Sequence, residues 1–235
     1  MMTTGSFSLE TLKDFFLKNK GKTVFVEYEV KSLLKNMGLP VPKGIFIDKE
    51  ARLPAMSHKL SALSYPLVAK VSSTAITSKS DIKGIRLGIR NEDELKDAVS
   101  ELMRIDNAEG VLVEETAPHG IEVIVGGIVD RQFGPIVMFG LGGVFVELFK
   151  DVAFGLAPLD RDNALWLIEQ IKGYKLLEGY RGSPPADIDA LTDIIVAVSE
   201  IMATNLIKEI DLNPVALYPQ GAMILDAKME IIYSG

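Results

Sequence analysis

The sequence predicts an α+β protein built from two lobes. Apolar residues recur at helical spacing in some segments and form short continuous runs, typical of strands, in others. The two kinds of segment do not alternate strictly, which disfavours a simple doubly wound sheet. A length of 235 residues is sufficient for two small lobes. We therefore expect an N-terminal helical segment at 1–22, a first lobe at 23–110 and a second lobe at 111–235.

In the first half, two helices near the N-terminus are followed by three strands and a third helix. Apolar stripes predict helices at 9–20 and 26–37, and Gly21 and Gly38 follow them as favoured helix ends. Short apolar runs predict the strands, and Asn91 with Glu94 forms a capping box for the third helix. The strands and this helix are expected, in order, at 44–47, 67–71, 82–89 and 91–103.

The second half is predicted to hold strands, then two helices, then a C-terminal hairpin. A glycine turn, Gly140 to Gly143, separates the last two of the strands before the helices. The first helix covers 160–172 and ends at Gly173, and the second carries an apolar stripe over 188–202. The strands that precede these helices are expected at 111–115, 121–129, 135–139 and 144–149.

The register of the C-terminal hairpin follows from its turn. Tyr218-Pro-Gln-Gly221 has proline at the second position and glycine at the fourth, which is typical of a β-turn. If Tyr218 faces Gly221, Asn213 lies directly opposite Asp226, and paired residues share a face with Cβ atoms roughly 5 Å apart. Asp211, two residues before Asn213, projects from the same face. Three hard oxygen ligands therefore converge, as a Mg²⁺ site that also binds phosphates requires.

Two interpretations of this polar patch stay open on the residues alone. Asp and Asn on a hairpin most often form a solvated face, and that is the simpler interpretation. The strands around them are otherwise apolar, which favours the metal site.

Composition and charge exclude several classes of function. A formal net charge of −7 argues against a nucleic-acid partner bound through its phosphates. The absence of cysteine excludes disulfides, thiolate catalysis and Cys-ligated zinc. We find no signal-peptide pattern and no apolar run long enough to span a bilayer, so we expect a cytoplasmic protein without a membrane partner.

Individual residues of the two lobes are candidates for nucleotide binding. Lys70 is the only charge in its apolar strand, so it is either an ordinary solvent-facing lysine or a point charge for phosphates. Gly142 and Gly143 offer backbone amides to a phosphate, or simply allow a tight strand connection. Glu114, at the end of an apolar strand, suggests an adenine edge, and Glu122 a partner for ribose hydroxyls, although both could be surface glutamates.

Taken together, these segments resemble an ATP-grasp domain, and more narrowly the β subunit of ADP-forming acetyl-CoA synthetase. The resemblance extends from about Glu27 to Ala227. The segments that carry it are Tyr65–Lys70, Lys79–Asp81, Gly120–Gly126, Phe133–Glu147, Lys150–Asp151, Tyr180–Gly182 and Asp211–Pro214.

The resemblance implies a two-lobed fold with the nucleotide bound between the lobes, and it implies site residues. Lys70 and Arg181 are expected to act in catalysis, and Asp211, Asn213 and Asp226 to bind Mg²⁺. Lys70 also belongs to the expected ATP/ADP-binding set. The other members of that set are Glu114, Glu115, Thr116, Glu122, Gly142 and Gly143.

The family reaction reversibly converts an acyl-CoA, ADP and phosphate into the free acid, ATP and CoA. Phosphate passes through a phosphohistidine on a separate CoA-binding α subunit, so we expect an α subunit as partner, in an α2β2 assembly. The β subunit is a ligase component, active only with that partner.

One position departs from the family pattern. A second phosphate-carrying histidine directly precedes Lys-Ser-Asp in the family, and this chain has Ser78 there. Serine cannot replace imidazole as a readily reversible phosphoryl carrier. Direct transfer from the α-subunit histidine, a lineage variant with another substrate, and a substituted sequence all stay open. So does the alternative that the chain is a non-catalytic nucleotide-sensing or assembly subunit.

Overall fold

The computed structural model describes residues 9–50, 60–76, 79, 81–143 and 150–232, and this part of the chain forms two compact units. Among these residues, the larger unit comprises 9–25, 30–41, 119–143 and 150–232, and the smaller comprises 26–29, 42–50, 60–76, 79 and 81–118. In the described residues we number the helices α1 to α6 and the strands β1 to β11.

The larger unit is built on a seven-stranded antiparallel sheet. Its strand order is β1-β11-β9-β6-β7-β8, with β10 paired to β9. The strands are β1 (Val24–Phe25), β6 (Ile121–Asp130), β7 (Gly134–Leu141), β8 (Val152–Leu156), β9 (Ile207–Leu217), β10 (Ala222–Ile224) and β11 (Lys228–Ile231).

The helices of this unit cover one face of the sheet. They are α1 (Leu9–Lys18), α2 (Glu27–Asn36, whose first turn groups with the smaller unit), α4 (Arg161–Glu169), α5 (Tyr174–Leu177) and α6 (Ile188–Ala203). Alternate strand residues such as Val125, Phe139 and Leu212 are buried in one core with Ile195 and Met202 of α6. Because side chains alternate along a strand, the residues between them project from the opposite face.

The smaller unit is a four-stranded antiparallel sheet with one helix. Its strand order is β2-β5-β3-β4. Leu67, Ala69 and Val71 of β3 pack against a core that includes Leu95 and Val99 of α3. The strands and helix are β2 (Gly44–Asp48), β3 (Leu67–Ser72), β4 (Ile85–Ile89), α3 (Glu92–Leu102) and β5 (Gly110–Glu115).

Most of the predicted elements are present, with several local differences. The predicted helix at 160–172 ends at Glu169, and a separate short helix, α5, follows. The Asp151 carboxylate accepts hydrogen bonds from the backbone amides of Lys172 and Gly173, which holds the chain between the two helices. Strand β8 and the two-residue strand β1 were not predicted, and β4 begins at Ile85 rather than Ile82. The predicted strand at 144–149 lies outside the described residues.

The division between the units differs from the predicted boundary after residue 110. Strand β5 pairs with both β2 and β3, so it completes the smaller sheet, and the division follows Pro118. The described part of the predicted separate segment at 1–22, residues 9–22, belongs to the larger unit, because Leu12 is fully buried in its core and Phe15 contacts Phe25.

Asn91 caps α3 as predicted, while Glu94 bonds to the amide of Arg90, one residue before the N-cap, and this cap supports a stability prediction. The Asn91 side chain accepts a hydrogen bond from the Glu94 amide at 2.9 Å, and the Glu94 carboxylate accepts one from the Arg90 amide at 2.8 Å. We expect Asn91→Ala to lower the free energy of unfolding by about 1 kcal/mol, since an orphan amide loses its acceptor. Urea unfolding followed by circular dichroism measures this. Ser100→Ala, on the exposed face of α3, is the control, and an equal loss in both variants would contradict the capping role.

Within the described residues, no helix combines the length and the apolar character that a membrane span needs.

Candidate nucleotide and metal site

The C-terminal hairpin has the predicted register. The Tyr218 amide donates to the Gly221 carbonyl at 3.1 Å, and β10 pairs with β9 in the register that this turn sets. Beyond β10, the Asn213 amide donates to the Asp226 carbonyl at 3.3 Å. Asn213 and Asp226 are therefore opposite each other, as the turn predicted.

The same register continues into β11 and brings a lysine to the patch. Lys228 pairs directly with Asp211. Burial raises the pKa of the Asp211 carboxyl, the Lys228 charge opposes that rise, and the charges of Asp226 and Glu209 add to it. Asp211 is half-buried and has two acidic neighbours, so a bound cation would stabilise its charged form.

A shallow cavity of about 230 Å³ lies over this face of the large sheet. Asp211 and Asn213 line it on β9, and Gly126 pairs with Asp211 on β6. Gly126 contributes no side chain, and a Cβ there would lie 3.3 Å from the Ile210 carbonyl oxygen and 3.7 Å from the Met138 methyl. The apolar part of the lining comes from β6, β7 and β8 and includes Ile124, Ile128, Ile136, Met138 and Phe154. The cavity thus combines an apolar floor with hard oxygen donors, a combination typical of small-molecule sites.

The donor set fits a divalent cation of the Mg²⁺ type. Asp211, Asn213 and Asp226 offer carboxylate and amide oxygens, which Mg²⁺ prefers. Within the described part of the chain, no three His, Cys, Asp or Glu side chains form a cluster that could hold a metal ion. A metal site here would therefore need the Asn213 amide oxygen in addition to the two carboxylates.

One carboxylate holds the hairpin turn in place. The Asp187 side chain accepts hydrogen bonds from the Gly221 amide at 2.7 Å and from the Ala190 amide, as the N-cap of α6, at 2.9 Å. The Asp187 amide in turn donates to the Tyr218 carbonyl at 2.8 Å. These backbone donors hold the pKa of Asp187 below its usual range. Asp187 therefore links the buried helix α6 to the strands that carry the acidic patch.

We expect Asp187→Ala to destabilise the larger unit by roughly 1–2 kcal/mol at neutral pH, since a cap and the clamp on the turn are both lost. Because the pKa of Asp187 is lower in the folded state, its contribution is fully present above the unfolded pKa of about 4 and disappears as the pH falls through the folded value. The difference from wild type in urea unfolding should shrink below about pH 4. A difference that stays constant down to pH 2.5 would contradict this prediction.

The glycine segment and Glu122 lie together in the larger unit. The Gly142 amide donates to the Glu122 carbonyl at 2.7 Å, and a Cβ at Gly142 would lie 2.9 Å from that carbonyl. Gly143 has a positive φ of 60°, which favours glycine. The Glu122 carboxylate is exposed beside this segment. The predicted site residues Glu122, Gly142 and Gly143 are therefore neighbours in the larger unit.

Arg181 lies in the turn that follows α5. It has a positive φ of 51°, and its guanidinium lies 5.4 Å from the ring centroid of Tyr180. The side chain is exposed. The contacts of the described residues do not link Arg181 to the hairpin, so its predicted catalytic role rests on the family resemblance.

Lys70, in the smaller unit, is buried rather than solvent-facing. Its ammonium lies 2.7 Å from Oε1 of Glu27 and 2.9 Å from Oε2 of Glu114. Lys79 lies 2.8 Å from the second oxygen of Glu27. The side chains of both lysines are 10% exposed and those of both glutamates 2%. Among the described residues, these two lysines and two glutamates form a buried cluster in which their own charges balance, which we call the Lys70 cluster.

The remaining predicted nucleotide residues make contacts of their own in the smaller unit. The Glu115 carboxylate accepts a hydrogen bond from the Ser64 amide at 2.8 Å and lies 3.6 Å from the Lys43 ammonium. The Thr116 amide donates to the Pro66 carbonyl at 3.0 Å. These bonds fix the chain beyond β5. Ser78 lies outside the described residues.

Sequence reasoning missed three charged residues of these sites. Lys228 follows from the hairpin register, because it falls opposite Asp211 in the same pairing that placed Asn213. Lys79 stands in the segment Lys79–Asp81, but no pattern indicated its contact. Glu27 lies 43 residues from Lys70 in the chain, and no local signal joins them.

The two units and the polar face of the hairpin define an ATP-grasp protein. A family model described as ATP-grasp domain matches residues 17–231, and the chain belongs to this family. The β subunit of ADP-forming acetate–CoA ligase I from Pyrococcus furiosus is 44% identical over 215 residues, which cover 87% of this chain and 90% of that protein.

Solved structures of an acetyl-coenzyme A synthetase are also similar to this chain over nearly its whole length. Acetyl-coenzyme A synthetase 1 of Ca. Korarchaeum cryptofilum, in complex with coenzyme A, Ca-AMPCP and HgCl+, is 38% identical with a TM-score of 0.86. The match covers 96% of this chain and 100% of that chain. A second structure of that enzyme contains coenzyme A and Mg-AMPPCP, with a TM-score of 0.80, 40% identity, and 94% and 99% coverage.

Other relatives are much longer proteins. ADP-forming acetate–CoA ligase II of Archaeoglobus fulgidus is 41% identical over 208 residues, which cover 88% of this chain but 30% of that ligase. The chain therefore corresponds to one part of a longer ligase in some relatives and to a separate β subunit in others.

Proposed function

We propose that this chain is the nucleotide-binding β subunit of an ADP-forming acyl-CoA synthetase. It would exchange a phosphoryl group between ADP or ATP and a phosphohistidine of a separate CoA-binding α subunit. The observation that supports the proposal is the register of the hairpin, in which Asn213 is opposite Asp226 and Asp211 is two residues away on the same strand, in a chain 44% identical to such a β subunit.

The hairpin residues would hold the metal end of the nucleotide. Asp211, Asn213 and Asp226 supply the oxygens, and bound Mg²⁺ would neutralise charge on the phosphates. Their anchored strands position these oxygens before the nucleotide arrives, which reduces the reorganisation that binding requires.

The other predicted residues would bind and orient the rest of the nucleotide. The Lys70 ammonium would attract phosphate charge, the Gly143 amide would contact a phosphate oxygen, and Glu122 would accept hydrogen bonds from the ribose. The Gly142 amide donates to the Glu122 carbonyl, so Gly142 would shape this segment rather than donate to phosphate. Glu114 to Thr116 would flank the adenine, with the Glu114 side chain also holding Lys70. We assign Arg181 to the phosphoryl-transfer step.

Phosphoryl transfer in this chain would use the histidine of the α subunit. Ser78 lacks the imidazole that the family pattern places there, so we propose that the α-subunit phosphohistidine exchanges phosphate with ADP directly. The relatives from Archaeoglobus fulgidus and Pyrococcus furiosus are ligases. This supports a catalytic subunit over the non-catalytic nucleotide sensor that Ser78 by itself suggests. An α2β2 assembly is our proposal for the complete enzyme.

Calorimetric titration of the isolated chain with Mg-ADP tests nucleotide binding, and mixing with a cognate α subunit tests turnover. We expect binding of Mg-ADP and formation of ADP that depends on acid, CoA and ATP only when both subunits are present. Absence of Mg-ADP binding would contradict the proposal. Binding without turnover beside an active α subunit would identify a sensor instead. Light scattering of the mixture measures the stoichiometry.

A further inference from the structure

Glu27 is a buried carboxylate that contacts two lysines from different parts of the smaller unit. It is the first residue of α2, and its Oε1 lies 2.7 Å from the Lys70 ammonium while its Oε2 lies 2.8 Å from that of Lys79. The Glu27 side chain is only 2% exposed. The Lys70 contact is a charge-assisted hydrogen bond shielded from water, where such bonds are strong. The Lys79 contact is a close ion pair rather than a hydrogen bond.

The first contact fixes the position of the Lys70 ammonium. Lysine has a flexible stem and carries its charge at a point, so an isolated strand lysine samples many positions. Here Glu27 and Glu114 approach the ammonium from two elements, α2 and β5, at 2.7 and 2.9 Å. The side chain is therefore held along the face of β3 rather than extended into solvent.

The second contact restrains Lys79, in the connection between β3 and β4. Lys79 lies in that connection, and its carbonyl accepts a hydrogen bond from the Gly84 amide at 2.7 Å. A Cβ at Gly84 would lie 2.5 Å from a Val71 methyl and 3.0 Å from the Lys79 carbonyl oxygen. The backbone at Gly84 is therefore packed closely against Val71 and Lys79. Glu27 is thus linked through Lys79 to the start of β4.

The near end of the same connection has its own anchor. The Glu109 carboxylate accepts hydrogen bonds from the Thr74 amide at 2.6 Å and from the Thr74 hydroxyl at 2.7 Å. The Glu109 anchor and the Gly84 bond do not involve Glu27, so the Glu27–Lys79 contact is a separate restraint on Lys79.

We propose that Glu27 is a positioning residue of the nucleotide site, which orients Lys70 through one carboxylate oxygen and the β3–β4 connection through the other. The inference rests on the proposed function, because Lys70 is taken to bind nucleotide phosphate. Glu27 itself touches lysines and acts through them. Its charge also balances the cluster, so that Lys70 and Lys79 are held close together at low cost in mutual repulsion.

The variant Glu27→Gln tests this inference because it keeps the shape of the side chain and removes its charge. We expect Mg-ADP binding, measured by titration calorimetry, to weaken by about 10- to 100-fold, as expected for the loss of buried charge-assisted bonds. Glu101→Gln is the control, since Glu101 pairs with Arg86 at the surface of the same unit. We expect that control to bind within about twofold of wild type.

A local measurement separates positioning from general destabilisation. In Glu27→Gln the Gly84 amide should exchange its hydrogen faster by about tenfold or more, while amides in α3 keep wild-type rates. Faster exchange throughout the smaller unit, α3 included, would show a structural role only and would overturn the inference. If Glu27→Gln does not fold, Lys79→Met keeps the Glu27–Lys70 contact and should give the same local increase at Gly84.

The outcomes for the function and for the inference are distinct. Wild type that fails to bind Mg-ADP contradicts the proposed function. Wild type that binds, with Glu27→Gln binding equally well, overturns the role of Glu27 and leaves the proposed function standing. Unchanged Gly84 exchange in both Glu27→Gln and Lys79→Met also overturns it.

Discussion

Replacing Asn213 and Asp226 together by alanine is expected to weaken Mg-ADP binding by about 100-fold or more. Loss of groups that merely support metal ligands costs about 10- to 100-fold, so loss of two direct ligands should cost at least as much. The two residues are opposite each other in the hairpin, so both changes act on one site. Titration calorimetry with ADP, in the presence and absence of Mg²⁺, measures the effect.

The informative feature is the dependence on Mg²⁺. We expect wild type to bind ADP more tightly with Mg²⁺ than without it, and the double variant to bind equally weakly in both conditions. Lys208→Ala is a matched control on β9, because Lys208 pairs with Glu230 at the surface and lies outside the cavity. If the double variant keeps its Mg²⁺-dependent affinity, the metal ligands are other residues.

Lys70→Met is expected to destabilise the smaller unit by about 3–5 kcal/mol. Breaking a buried ion pair by removing one partner leaves charge without compensation, and this costs more than the pair contributes by itself. Here the change removes the shared partner of two carboxylates that are each 2% exposed. Methionine keeps most of the volume of the lysine stem, so a cavity accounts for little of the loss.

Urea unfolding with a probe in the smaller unit measures this loss. Lys96→Met is the control, because Lys96 pairs with Glu92 on the exposed face of α3, and its unfolding midpoint should stay close to that of wild type. Restoring charge balance in Lys70→Met/Glu114→Gln should recover part of the lost stability. No recovery would show that packing, rather than buried charge, explains the loss.

The fold could be predicted largely because its signals are local. Helix stripes, the capping box of α3 and the turn at Tyr218 each depend on residues close together in the chain. Where the prediction failed, long-range contacts were decisive. The helix predicted at 160–172 ends at Glu169, and just beyond it Asp151, 21 residues before Lys172, accepts the amides of Lys172 and Gly173. The boundary between the units follows Pro118 rather than residue 110, because β5 pairs with β2 and β3.

In the candidate site, too, local features could be predicted from the sequence and long-range contacts could not. The acidic patch of the hairpin could be worked out in advance, since side chains alternate along paired strands and one turn sets every pairing. The position of Lys228 opposite Asp211 could be predicted from that register as well. The burial of Lys70 could not be predicted, because a lone lysine in an apolar strand is compatible with either face of a sheet.

By itself, the sequence determined the order of most elements and the pairing of Asn213 with Asp226, because a β-turn and strict alternation act over a few residues. The tertiary structure decided which charges are buried together. Glu27 reaches Lys70 across 43 residues, and Asp187 reaches the hairpin turn across 34. Such contacts depend on how helices pack on sheets, and the cost of burying a charge makes them specific once the packing is set.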